Sequence, residues 1–178
     1  TRPRFLKIRR LAMVAVSLVH HVLALFTTRS VLPWGHRPCP VVGISCLLFL
    51  VPTAGGAPHS WRWPVQAVFS FMSDHAYTGL PSTWHVADRW FATTNVIWQL
   101  WRASICLSPP AVFAVAALPL GIKYASSRCS ARANYDAYRA LHVGWHVTAA
   151  AVGLWVEVIF AARVAAEEAG ERGLPLQE

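Results

Sequence analysis

Residues 141–164 form a nearly unbroken apolar run, of the length that a bilayer-crossing helix needs, about twenty residues. Such a run admits few folds. In hydrocarbon every backbone N–H and C=O must be paired inside the protein, so a helix is the expected form. Two imidazoles, His142 and His146, stand at its start. Residues four apart share one helical face and lie about one turn from each other. This is the spacing by which a helix offers two nitrogens to one metal ion. Ionisable groups near the end of a membrane helix are expensive, and a functional role is the default expectation for them.

The rest of the chain supports the same class. Of 178 residues, 55% are hydrophobic and only 13% are charged, against about 25% charged in a soluble domain. Nine Trp and twelve Pro add to the membrane character. The expected fold is all-α: one polytopic transmembrane domain over residues 1–178, a bundle of about five to six helices. Pro, Gly and charge clusters divide it into segments at 11–25, 41–51, 65–77 (from 61 at the earliest), 83–105, 110–125 and 137–166. Ser82 is a good N-cap for the fourth of these. Segment 41–51 is bounded by Pro40 and Pro52 and is too short for a regular span. It is predicted to be a short, tilted or re-entrant helix with both ends on one face. Segment 11–25 follows basic residues. With no convincing small-residue cleavage site after it, it is expected to be a first spanning helix, not a removed signal. Thr1 stands at the start instead of Met, which leaves room for upstream sequence.

The net charge of +8 is unevenly spread. Arg2, Arg4, Lys7, Arg9 and Arg10 crowd a basic flank over residues 1–10, directly before apolar residues. Anionic lipid headgroups are the expected partner of that flank, not nucleic acid. Glu167, Glu168, Glu171 and Glu178 make an acidic tail over residues 167–178. Cys39, Cys46, Cys106 and Cys129 form no C-x-x-C pair, which argues against a cysteine-based zinc knuckle. Cys46 and Cys106 lie in apolar surroundings and read as small packing residues.

Parity along the chain ties several polar groups to the histidine pair. Ser70, Ser73, Asp74 and His75 end the third segment, and His85 and Asp88 begin the fourth. The fourth segment crosses, the fifth returns and the last starts on the original side. All these groups are therefore expected at one membrane face. If 41–51 does not cross, that face is the one carrying the basic N-terminus, with Arg89, Lys123, Arg128, Arg132 and Arg139 beside it. The positive-inside tendency then makes it cytoplasmic. If 41–51 does cross, the site lies opposite the N-terminus.

This constellation resembles the CREST superfamily of membrane hydrolases, which includes alkaline ceramidases, progestin and adiponectin receptors, Per-type GPI-lipid remodelling proteins and myomaker. The family pattern is Ser-x3-His ending one helix, Asp early in the next, and His-x3-His early in the last. Ser70, Asp88, His142 and His146 match it, over roughly residues 61–166. Two departures stand out. The fourth position after Ser70 is Asp74, with His75 one position on. Only about one full span fits between the Asp helix and the His-pair helix, where the family usually has three. The resemblance implies zinc held by the histidines, with Ser and Asp attending the water at the metal.

The expected activity is therefore zinc-dependent hydrolysis of an amide or ester bond in a membrane lipid. Asp88 would orient or deprotonate the water, and Ser70 would donate a hydrogen bond to that water or to the developing oxyanion. The third protein ligand stays open among Asp74, His75 and His85; two histidines with one carboxylate are a legitimate zinc set. Other readings remain beside this one. The pair could be hydrogen-bonded packing histidines. A receptor or structural protein could use a metal only to staple helices. A haem-binding electron carrier would need axial histidines from different helices. His20 and His21 point in different directions and read as packing or interfacial residues. His36 and His59 read as solvated loop residues, Asp136 as a favourable first-turn acid, and Arg89 as a headgroup contact or a snorkelling charge.

A second polar stripe runs deeper. Asp88, Asn95, Gln99 and Arg102 share one face of their helix, and Glu157 lies eleven residues after His146. Gln99 is eleven after Asp88, so the depths of Gln99 and Glu157 match. A lone Glu at that depth is costly, so Glu157 is expected to face Gln99 or Arg102 in a structural polar clamp.

Overall fold

The computed structural model describes residues 26–28 and 32–171. The basic flank 1–10, segment 11–25 with His20 and His21, and Glu178 lie outside the described residues. Every element among the described residues is helical, in agreement with the all-α expectation. Pro40 opens α1 (Pro40–Cys46), which tightens into a 3-10 stretch over Leu47–Gly55. α2 covers Arg62–Phe71 and ends in a π-turn, Met72–Ala76, closed by Tyr77 N–H donating to Met72 O at 2.9 Å. α3 (Thr83–Cys106) starts behind Ser82, whose hydroxyl accepts from Trp84 N at 3.2 Å. Pro109 and Pro110 open α4 (Pro109–Ala131), where their missing N–H groups cost nothing. Asn134 caps α5 (Tyr135–Glu171) by accepting from Ala137 N at 3.1 Å. α5 continues through Glu167, Glu168 and Glu171, so the acidic tail begins as helix.

α4 and α5 are long and apolar enough to cross a membrane. At 24 residues α3 has the length, but it carries Asp88, Arg89 and Arg102.

Contacts with α5 fix the direction of every other segment. Ser45 meets His146 and Gly55 lies directly on Glu157, where an added Cβ would come within 2.5 Å of the Glu157 Cβ. The α1–3-10 segment therefore runs alongside α5 from the level of the histidines to the level of Glu157. As expected, segment 41–51 is short and not a regular full-length helix; what differs is that it runs on in one direction instead of turning back with both ends on one face. The physical reason is the 3-10 stretch. It rises about 2.0 Å per residue against 1.5 Å for an α-helix, so Pro40–Gly55 reaches about 28 Å, close to one hydrocarbon thickness. α2 runs the other way, with Trp63 at Glu157 and Asp74 at His142. α3 runs with α5, and α4 returns against it, with Val115 beside Val156 and Ser126 beside His142.

Ionisable groups are buried inside, while large apolar side chains face outward. His146, Arg102 and Glu157 are 0%, 1% and 1% exposed, whereas Ile44, Ile97 and Phe113 are 67%, 63% and 74% exposed. Two apolar clusters accompany the ionisable groups: Phe49, Trp63, Ala67 and Ala150, and, beside the Arg102–Glu157 pair, Ala103, Val115 and Val156.

Candidate metal centre

Three segments bring their polar residues to one end of the bundle. α5 contributes His142 and His146, whose rings lie 4.8 Å apart at 81°. The π-turn after α2 contributes Asp74. Its Oδ2 accepts from His142 Nε2 at 2.9 Å and lies 3.6 Å from His146 Nε2. α1 contributes Cys46. Ligand atoms of Cys46, Asp74 and His146 all lie within 4.8 Å of one another, so this buried group could hold a metal ion. Tetrahedral zinc with bonds of about 2.0–2.3 Å separates its ligand atoms by roughly 3.4–3.8 Å. The 3.6 Å between Asp74 Oδ2 and His146 Nε2 matches that spacing, whereas Cys46 Sγ lies 3.9 Å from the other imidazole nitrogen, Nδ1.

Hydrogen bonds fix the protonation of His146. The Ser45 hydroxyl donates its one proton to Val42 O at 2.7 Å. It must therefore accept from His146 Nδ1–H, also 2.7 Å away. Nε2 is then the unprotonated nitrogen. That lone pair is fully buried, has no hydrogen-bond partner, and faces the Asp74 carboxylate. Two acceptors confronting each other in a buried site call for a cation between them. Among the described residues the only ion-pair partners of Asp74 are the two histidines. Ser45 on His146 Nδ1, with Ser126 3.5 Å from His142 Nδ1, orients the two rings as outer-shell groups orient metal-bound imidazoles.

Of the three open candidates for a third ligand, only Asp74 reaches the histidine pair. His75 points away: its Nδ1 donates to Cys39 O at 3.1 Å, and its ring rests on Gly43, where any Cβ would meet the imidazole at 2.7 Å. Both nitrogens of His85 are occupied, Nδ1 by Ser73 Oγ at 2.9 Å and Nε2 by Leu80 O at 2.8 Å. His85 thus braces the 77–82 turn. The π-turn makes the choice between Asp74 and His75. One extra residue in the turn rotates the register, and Asp74 faces inward in place of its neighbour. Haem ligation is not supported, since the two imidazoles address one carboxylate from one helix.

Ser70 lies one turn before Asp74. Its hydroxyl donates to Asp88 Oδ1 at 2.7 Å and accepts from Gln66 Nε2 at 2.8 Å; Gln66 also donates to Asp88 at 2.9 Å. The Ser70 proton is therefore committed to Asp88 and not aimed outward to an oxyanion. Asn95 Nδ2 donates to Gln66 Oε1 at 3.2 Å and carries the polar network deeper. At the far end Glu157 accepts from Gln99 at 2.5 Å, Trp63 at 2.9 Å and Arg102, as the matching depths predict. Trp63 was not anticipated in this clamp.

Cys46 and Ser45 are the site residues that sequence reasoning missed. Both sit in the segment expected not to cross, so parity could not bring them to the centre. The available signal was their position four and five residues beyond Val41, on a segment that reaches the same face.

No family model, curated protein or solved structure matches the chain. The arrangement of side chains therefore carries the functional reading.

Proposed function

We propose that this chain is an integral, multi-pass membrane protein and that its buried centre holds zinc and hydrolyses an amide or ester bond of a lipid. The carrying observation is the unpartnered His146 nitrogen facing Asp74 beside the Ser70–Asp88 pair. Support for the membrane comes from the inverted distribution of polarity, apolar outside and ionisable inside, which suits a lipid solvent. Support for the likeness to the CREST hydrolases comes from Asp74, the residue at the family's ligand position, which is the one that meets the His pair. Arg37, Arg89, Lys123, Arg128, Arg132 and Arg139 belong to the centre's end of the bundle, which favours the cytoplasmic side. Because Pro40–Gly55 runs end to end, this orientation rests on those cations and not on the N-terminal cluster.

When bound, zinc supplies a Lewis acid that polarises a carbonyl and lowers the pKa of water to about 7. His142, His146 and Asp74 would hold it; His142 would first release to solvent the Nε2 proton that it donates to Asp74. Asp88 takes the proton of the attacking water and delivers it to the departing amine or alkoxide. Ser70 and Gln66 hold Asp88 in place. Val41 and Ile44 on α1 and Leu47 at the start of the 3-10 stretch are exposed and offer an apolar surface for acyl chains near the centre.

A second reading rests on Cys46. Cys46 lies within 4.8 Å of the Asp74 and His146 ligand atoms; were it to join them and His142, the four donors would fill a tetrahedral sphere, and a filled sphere staples helices without turnover. The deciding experiment is a lipid amidase and esterase assay on purified protein, with elemental analysis. The hydrolase reading expects zinc and turnover in the wild type, with Asp88→Asn keeping the zinc and losing about 10²–10⁴-fold in rate. Zinc retained with no turnover on any lipid selects the staple. Absence of zinc in both proteins rejects the metal altogether.

A further inference from the structure

We propose that Gln66 and Asn95 are positioning residues for Asp88: they fix its Oδ1 and leave Oδ2 as the oxygen that takes up and hands on the proton. The proposal rests on the hydrolase reading above. It adds to that reading an assignment within the carboxylate and a residue, Asn95, that makes no hydrogen bond to Asp88 itself.

The two oxygens of Asp88 are unequal. Oδ1 accepts from Ser70 Oγ at 2.7 Å and from Gln66 Nε2 at 2.9 Å. Oδ2 accepts from no group among the described residues, and Asp88 keeps some accessible surface. An oxygen that faces two donors has no room for a proton of its own, since a third hydrogen would meet theirs. The proton of the attacking water therefore goes to Oδ2. The rest of that water bonds to the acyl carbon. As the C–N or C–O bond breaks, the proton passes from Oδ2 to the departing nitrogen or oxygen, and Asp88 ends the turnover ionised as it began.

The Gln66 amide decides what Asp88 meets. Its Nε2 donates to Asp88 and also to Ser70 Oγ at 2.8 Å, so the N–H groups face the carboxylate and Oε1 points away. Turned over, the amide would set Oε1 against an ionised oxygen. Asn95 Nδ2, 3.2 Å from Oε1, opposes that turn, because a flipped Gln66 would face it donor to donor. Gln66, Ser70 and Asn95 are all buried, where a mispaired amide is costly. Asn95 thus holds Gln66 in the orientation that holds Asp88.

Spacing ties this anchor to the metal centre. α2 carries Gln66, Ser70 and, in its π-turn, Asp74, four residues apart each time. Asp88 and Asn95 are seven apart on one face of α3. The base on α3 is therefore fastened to the same segment that presents Asp74 to the histidines.

The test is infrared spectroscopy of the full chain made with isotope-labelled aspartate. The chain holds three Asp, and the difference from Asp88→Asn isolates Asp88. A carboxylate anchored through one oxygen has unequal C–O bonds, so its asymmetric and symmetric stretches lie further apart than in a carboxylate with like oxygens. The wide separation should appear in the wild type and narrow in Gln66→Met and in Asn95→Leu, with zinc content unchanged. In both variants kcat should fall about 10–100-fold, the range for groups that support a reacting residue from behind, with KM unchanged. The two variants remove one contact from its two sides, so if one fails to fold the other decides. An unchanged separation in the folded variants overturns the proposal, as does a fall in kcat matched by an equal loss of zinc. A wild type with the wide separation and no turnover on any lipid rejects the hydrolase reading and leaves the anchoring of Asp88 standing.

Discussion

Two buried polar centres sit on α5 one above the other, eleven residues apart, and they solve the same problem in opposite ways. At the deep end Glu157 is neutralised from within: Arg102 brings the charge, and Gln99 and Trp63 supply the remaining donors. At the other end Asp74 meets histidines, one of which presents a bare nitrogen, and no Arg or Lys pairs with it among the described residues. A carboxylate with its own arginine is complete and structural. A carboxylate facing a lone pair and a thiol is completed by a cation from outside. The comparison teaches that burial of charge alone does not identify a site; the missing counter-charge does.

The largest expected effect is at the clamp. Glu157→Gln or Arg102→Gln should each destabilise by about 3–5 kcal/mol, because the survivor is left buried and alone. The double variant should lose less than the sum. Thermal melts of the three in detergent measure the cycle, and strictly additive losses would break the view of the clamp as one unit. None of the three should change the metal content.

Metal-centre variants should show the reverse pattern. With cobalt(II) in place of zinc, a thiolate ligand gives a sulfur-to-metal charge-transfer band in the near ultraviolet. Under the hydrolase reading the wild type should lack that band; a band present in the wild type and absent in Cys46→Ser, with the visible ligand-field bands persisting, would select the staple. A wild type without it leaves Cys46 as a neighbour and keeps the sphere open for substrate. Smaller is the effect of Ser45→Ala, which frees the His146 tautomer and should weaken metal affinity about 10–100-fold. Equilibrium dialysis against a competing chelator would read it, and unchanged affinity would remove Ser45 from the tautomer argument. Smallest of all, His75→Asn and His85→Asn should leave metal stoichiometry at the wild-type value. Loss of metal in either would return that residue to the centre and contradict the hydrogen bonds assigned to it.

Much of the architecture was legible because its signals are local. The apolar run after His142, Ser82 before α3 and the Pro109-Pro110 break each act within a few residues, and helices begin at Thr83 and Pro109. Periodicity also paired the two centres. Spacings of four and eleven set faces and depths on a helix of fixed rise, which is why Glu157 was found opposite Gln99 and Arg102. The unbroken direction of the α1 segment was missed for an equally physical reason. Its length was judged at the α-helical rise, and a 3-10 stretch covers the distance with fewer residues.

The sequence by itself determined the helices, the inward polar faces and the residue types gathered at each end, since these follow from local hydrogen bonding and from the expense of charge in an apolar surrounding. Only the tertiary structure decided which side chains close the centre. A π-turn turned Asp74 inward and His75 outward, the run of Pro40–Gly55 along α5 delivered Cys46 and Ser45, and the Ser45 hydroxyl fixed the proton on His146. Those choices depend on contacts between residues up to about a hundred positions apart, where no spacing along one helix carries the information.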